Sequence, residues 1–561
     1  MREDLSAIAA GAEEPHALRR PLGAPGGHHG ARVSAAAMAL LLQNVRLDDR
    51  EPVAIAGQQL ALPHARILAA EVVKRALDAR ARTPSWRGNL RVELAPADET
   101  SVLSRNLPGV RAWSDRDVAR RSGELPTRQR TFSTRPIVVG AGPAGLFCAL
   151  RLAEAGARPL LLERGEATEA RVATVNGFWR GKPLNPESNI LFGEGGAGTF
   201  SDGKVYTRRR DGDLGWIFRH LVLAGADPSI QDESYAHLGT DRIRAILPVL
   251  RQAFLNLGGE VLFGAHVTGL VLRAGQCVGV QLQDGAEFIG GPVVVAAGHS
   301  ARGTARMLLG AGAAAEVRPV AIGARIEHPQ SLVDTALYPG GRGALPPSSY
   351  RLAHNVPGER SCFTFCMCPG GMVVPAQHEA GTNVVNGLSF ASRRAMWANS
   401  AVIAQVGPDD YRADDPLAGQ RFQEQIERRA YVLSGSYAAP AQRVDDFLAD
   451  RESRELPRTS FPFGVVPTEL RGLLPEGVIV SMKRAIRTFD QKIPGFAGAQ
   501  GVLIAPETRT TSPIRFLRGP NMHSPTLPGL IPAGEGAGWG GGIISAAHDG
   551  FRVAEAVIAG E

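Results

Sequence analysis

An α/β architecture is predicted by three features of the 561-residue chain. "RPIVVGAGPAGLFCALRLAEAGARPLLLERG", residues 135–165, runs strand, glycine-rich turn, helix and second strand. "GEGAGWGGG", residues 534–542, places six glycines between a short apolar strand and a closing helix. Between them, residues 305–490 alternate strand-like and helical stretches without a second glycine fingerprint. The resulting expectation is a Rossmann-like dinucleotide-binding domain with an inserted α+β substrate domain and a small N-terminal α/β domain.

Composition narrows the setting. Hydrophobic content of 44% and charged content of 21% are ordinary for a globular enzyme. The pI of about 9.4 and net charge of +7 raise the question of nucleic acid. The basic residues are scattered, however, and form no stripe interleaved with aromatics, so nucleic acid is not the expected partner. Five lysines stand against 57 arginines, a skew that suggests a GC-rich genome. Five cysteines, an odd number without the spacing of a secreted scaffold, point to a reducing cytoplasm. No apolar run is long enough to span a bilayer. "ARVSAAAMALLLQNV" has no small-residue cleavage site after it, which argues against secretion.

Taken in order, residues 1–37 show no apolar periodicity and read as a disordered extension, or as sequence upstream of a true start at Met38. Residues 38–104 form the small α/β unit. "MALLLQNVRL" and "NLRVELAP" are its strands, and "ARILAAEVVKRALDARAR" reads as a helix because Ile67, Leu68, Val72, Val73 and Leu77 fall at helical spacing. Residues 105–134 read as a polar linker. The dinucleotide-binding domain would take residues 135–304 and return at 491–561, with 305–490 as the substrate or cap domain. In its first part, a helix with Ile243, Leu247, Leu250, Phe254 and Leu257 on one face ends at Gly258-Gly259, and a hairpin turns at Asp284-Gly285.

The fingerprint carries a specific chemistry. In Gly140-x-Gly142-x-x-Gly145, the first glycine allows the tight turn and the second the approach of a pyrophosphate. The third allows the helix to pack on the strand, and the phosphates sit at the helix N-terminus. Glu163, eighteen residues beyond Gly145, is placed to accept from a ribose diol. Gly198 through Lys204 matches half of a phosphate loop, but Val205 stands where the magnesium-binding hydroxyl belongs.

Strand, Gly-acid, glycine run and helix at the C-terminal end resemble the plan of the two-dinucleotide-binding-domain, glutathione-reductase-like flavoproteins. "NPESNILFGEGGAGTFSDGK", "FTFCMCPGGMVVPA", "VVNGLSF" and "PETRTTSPIRFLR" narrow this. With the glycine run, they resemble the FAD-dependent dehydrogenases of the NAD(FAD)-utilising type, over roughly residues 38–561. The resemblance implies FAD and oxidoreductase chemistry through flavin N5, without naming a substrate. Pro143, Ala144, Arg164, Val267, Ala297 and Gly298 would then join the fingerprint and Glu163 at the cofactor. Gly195, Gly196, Thr199 and Ser201 would contact the flavin, as would Gly534, Glu535, Gly541, Gly542 and Ile543. "RALDARAR" is similar to a helix of that family's small domain. With no second fingerprint, NAD(P)H as electron donor would bind only transiently at the flavin face.

The catalytic residues stay open at this level. Arg509 could orient an anionic substrate or pair with Glu507, and Ser201 and Cys366 are further candidates. Cys362, Cys366 and Cys368 share one face of an extended strand if it is regular, since their spacings are even. They read as a redox pair beside the flavin or, as the expectation adopted here, as structural or pocket-lining thiols. The histidines lack partners at metal spacing, and no metal is expected. The partner expected is a small-molecule substrate. The alternative function is a structural FAD in a partner-binding or nucleic-acid-modifying module.

Overall fold

The computed structural model describes residues 39–79, 83–126, 129–207, 209, 211–411 and 415–560. The extension 1–37 and the start at Met38 lie outside the described residues. The chain divides into two compact units.

The smaller unit comprises residues up to Pro126 with 208–236 and Tyr338–Gly340. Its centre is a four-stranded antiparallel sheet in the order Ile67–Asp78, Ser85–Leu94, Ala39–Leu47, Val110–Ala112. Alternation in Ser85–Leu94 buries Leu90, Val92 and Leu94 against Leu40, Leu42, Ile55 and Leu60. The segment expected as a helix is therefore the edge strand Ile67–Asp78. Its ladder is interrupted between Ile67 and Ala69 and between Val72 and Lys74. Each irregularity shifts the side-chain alternation, so the apolar positions fall out of period two and imitate a helix. The expected linker is also structured, with the strand Val110–Ala112 and the helix Asp115–Ser122. Ser114 and Asp117 close a capping box on that helix. Residues 208–236, expected in the dinucleotide domain, belong to this unit instead.

Two of the larger unit's sheets frame the site. The first is parallel, in the order Leu530–Pro532, Val293–Val295, Ile137–Val139, Leu160–Leu162, Glu260–Leu262. The fingerprint helix Pro143–Glu154 packs beside the closing helix Ile543–Gly560. The three central strands are apolar throughout because both faces are covered. The second is an eight-stranded sheet whose long central members are Cys362–Pro375, Trp397–Val406, Val320–Pro329 and Val502–Glu507. The helix Glu476–Asp490 seals one face through Val478, Met482, Ile486 and Phe489. Since Val502–Glu507 pairs with Val320–Pro329, this sheet runs past the expected boundary at 490 and closes only near residue 507.

Candidate functional site

The parallel and the eight-stranded sheets of the larger unit frame a deep cleft, holding about 1500 Å³ of empty space with its mouth included. It opens outside the carboxyl ends of the parallel strands, where α/β sheets bind ligands. Val139 and Gly140, Leu162 and Glu163, and Ala296 to Gly298 reach it from three successive strand ends. Gly142, Pro143 and Ala144 bring the start of the fingerprint helix, and Gly542, Ile543 and Ala546 that of the closing helix. Arg164, Val267, Gly196, Ser201 and Glu535 also line it.

Four of the expected residues stand behind the wall, and Gly541 is not among its lining residues. Gly145 is a packing glycine, because a Cβ there would lie 1.8 Å from the Gly140 carbonyl oxygen. The space beside Gly195 is filled by Leu247 and Thr199. Thr199 is fully buried, donating to the Glu194 carbonyl and accepting from Arg171. Gly534 donates its N–H to Asp549. Ser201 lines the cleft, yet its hydroxyl already donates to the Gly198 carbonyl and accepts from the Gly203 N–H.

Glu163 lines the cleft and braces the backbone around it. Its buried carboxylate accepts from the backbone N–H groups of Ala141 at 2.8 Å and of Gly165 and Gly193 at 3.0 Å each. It thereby ties the fingerprint turn to the 193 loop, with one of about four acceptor positions left for a ligand. Glu163→Gln should turn an amide toward at least one of these N–H groups, a loss of about 1–3 kcal/mol. The expected results are a lower melting temperature and bound-flavin content several-fold below parent after gel filtration. Parent-like flavin content would remove the clamp from the binding argument.

The opposite wall comes from the second sheet and carries residues that the sequence did not single out. Arg325, fully buried, spends all five donors on Glu507, Asn399, Asn386 and the Cys366 carbonyl. Glu507, Asn386 and Cys366 all line the cleft. Arg509 therefore has a different partner from the one proposed: not Glu507 but Glu427, at 2.7 and 3.1 Å, with His378 at 2.5 Å. Glu427 also takes both terminal nitrogens of Arg302 and the hydroxyl of Thr508. Burial alone would raise its pKa, but Arg509 and Arg302 outweigh it and hold the carboxyl well below the usual range.

The three cysteines do not share a face. The pairing of Cys362–Pro375 with Trp397–Val406 slips between Phe365 and Cys368, and Cys366 takes φ of 49°. Such a bulge re-aims side chains: Cys366 lines the cleft while Cys362 and Cys368 are buried. Burial pushes both buried thiols up to about 12. Cys148 is buried in the fingerprint helix.

At the base of this wall, Lys204 donates to the Met367 carbonyl at 2.5 Å and meets Asp202 Oδ2 at 2.5 Å. The other Asp202 oxygen receives His237 Nε2 at 3.0 Å and the Ser389 hydroxyl. A signal for Lys204 existed in the sequence, since it is one of only five lysines. None existed for Arg325 or Glu427.

The cleft suits a flavin dinucleotide. The helix start supplies unpaired N–H groups for phosphate, and Ser300 presents a buried hydroxyl with no partner among the described residues. A Cβ at Gly542 would meet no protein atom within 4 Å, leaving a bare shelf where a flat ring can lie against backbone. Fold and site together define an FAD-dependent flavoprotein.

Comparison with known proteins agrees. A model described as "FAD-dependent protein, C-terminal domain-like" matches residues 319–510, and one described as "FAD binding domain" matches 135–178. The chain is 39% identical over 498 residues to an uncharacterised protein of Clostridium beijerinckii, covering 87% of this chain and 92% of that one. The chain belongs to this family of FAD-dependent proteins. Among solved structures it is similar to the flavin-dependent brominase Bmp2, with 13% identity, TM-score 0.36 and coverage of 76% and 80% of the two chains. It is also similar to a glycerol-3-phosphate dehydrogenase from Bacillus halodurans, with 12% identity, TM-score 0.32 and coverage of 79% and 67%. Among the described residues, no helix is long and apolar enough to cross a membrane.

Proposed function

We propose that the protein is an FAD-dependent oxidoreductase of the NAD(FAD)-utilising dehydrogenase type, acting on a small molecule in a reducing compartment. The observation that carries this reading is the composition of the far wall. Beyond the cofactor cradle, the same cleft is lined by Lys204, Cys366, Asn386, Glu507 and Arg509, a chemically rich surface that a purely structural cofactor would not need. Five free cysteines support the reducing compartment.

When bound, FAD supplies the acceptance and return of a hydride. The chain's own residues bind, orient and shield. The fingerprint turn, clamped by Glu163, receives the pyrophosphate. The N-terminus of the closing helix at Ile543 would favour negative charge on the bound flavin. Arg325 fixes Cys366, Asn386 and Glu507 in place for the substrate. A pyridine nucleotide donor would dock transiently in the open part of the cleft.

The test is anaerobic mixing of purified protein with NADH, NADPH and a panel of small alcohols, amines and hydroxy acids. Bleaching of the bound flavin by at least one donor, followed by reoxidation by an acceptor, is the expected outcome. Stoichiometric flavin that no donor reduces would favour a structural cofactor.

A further inference from the structure

Lys204 is held in an unusual way. Its loop is locked to residues 237–239, because Leu238 and Gly239 donate their N–H groups to the Gly203 and Asp202 carbonyls. The same pairing sets His237 beside Asp202. Asp202 is 1% exposed and fastened by His237 and Ser389, so it can only face Lys204 from one fixed direction. The ammonium spends one donor on the Met367 carbonyl and one on Asp202. A lysine has three donors. The side chain is 26% exposed and lines the cleft, leaving the third N–H for whatever enters. Two chain positions before Met367, on the same strand, the wall changes character. Phe365 is 42% exposed and lines the same cleft as the cation.

A fixed cation with an unspent donor in the same cleft as an exposed aromatic side chain is the chemistry of a carboxylate on an apolar body. The carboxylate gains a charge-assisted hydrogen bond, and the ring or chain buries its surface against Phe365. Arg509, whose Nε, one terminal N–H and another are taken by Glu427 and His378, lines the same cleft and adds positive potential. Lys204 cannot be exchanged for arginine without loss of this arrangement, since the compact ammonium reaches two oxygens from one point. That accounts for a lysine here in a chain that otherwise uses arginine almost throughout.

We propose that Lys204 is the substrate-anchoring residue of the cleft and that the substrate class is a small carboxylate with an aromatic or otherwise apolar body resting on Phe365. The proposal rests on the oxidoreductase reading, whose own failure would show separately as a flavin that no donor reduces.

The experiment uses the full-length, FAD-loaded protein with benzoate as the probe and benzamide as its uncharged counterpart. Binding is followed by the perturbation of the flavin absorption spectrum, which requires no turnover. Benzoate should perturb the spectrum saturably in the parent and benzamide should bind about tenfold more weakly, the size of one hydrogen bond to a charged group. Lys204→Met should weaken benzoate by about the same factor while leaving benzamide unchanged. Phe365→Ala, at an exposed position that should not disturb folding, should weaken both probes together. Equal binding of benzoate and benzamide by the parent would overturn the proposal, as would no perturbation by benzoate at all. A folded, yellow Lys204→Met protein that binds benzoate like the parent would also overturn it. Should Lys204→Met fail to fold, the parent's preference between the two probes and the Phe365→Ala result still decide.

Discussion

Gly542→Val should give a folded protein that has lost its flavin. Gly542 lies at φ of 77°, where a β-branched residue is strained, and it lines the cleft immediately before the closing helix. Its missing Cβ faces no protein atom within 4 Å. A valine there therefore disturbs no internal contact and projects into the space the cofactor occupies. Backbone strain of about 1–3 kcal/mol and overpacking against the ligand of about 1–3 kcal/mol act together. They should lower flavin affinity by roughly a hundredfold or more. The measurement is flavin absorbance per protein after gel filtration, with circular dichroism as the control for folding. Gly541→Ala is the companion variant. Gly541 does not have positive φ, does not line the cleft and also faces open space, so it should keep its colour. Full colour in Gly542→Val would mean that the glycine run does not form the cofactor shelf.

The largest effect on stability is expected from Glu427→Gln. Glu427 sits on the helix Ala418–Ser434, is fully buried, and neutralises Arg302 and Arg509 through four nitrogen–oxygen contacts of 2.7–3.1 Å. Both arginines are themselves less than a tenth exposed. The amide leaves Arg509 without its paired carboxylate and Arg302 with only Glu424 at 3.7 Å, and turns an N–H donor toward at least one of the two. Removing one partner from a buried charge pair costs about 3–5 kcal/mol, so the urea midpoint and melting temperature should fall sharply. Glu427→Gln combined with Arg302→Met should recover part of the loss, because it removes one of the stranded charges together with its partner. A single variant as stable as the parent would show that water reaches the cluster.

Much of the fold was legible in the sequence, because its signals are local. The spacing of Gly140, Gly142 and Gly145 with Glu163 marks a strand–turn–helix–strand unit, since each residue type answers a constraint within about twenty-five neighbours. The glycine run could be joined to that unit because both ends of the dinucleotide fold keep characteristic turns. Where local pattern and pairing disagreed, pairing prevailed. Residues 67–78 carry helical spacing, yet the alternating strand Ser85–Leu94 provides a ladder whose irregularities generate that spacing. The even spacing of Cys362, Cys366 and Cys368 promised a shared face, and a one-residue slip against Trp397–Val406 removed it.

The sequence by itself determined that FAD is the cofactor and which glycine turns line the cleft proposed for it, because backbone geometry at glycines is set by residue type and spacing. Only the tertiary structure decided the partners of the buried charges. Glu427 meets Arg509 across 82 residues and Arg302 across 125, and Arg325 meets Glu507 across 182. A buried ion must find its counter-ion in space, and the sheet pairing that brings the two together leaves no trace in the spacing of either.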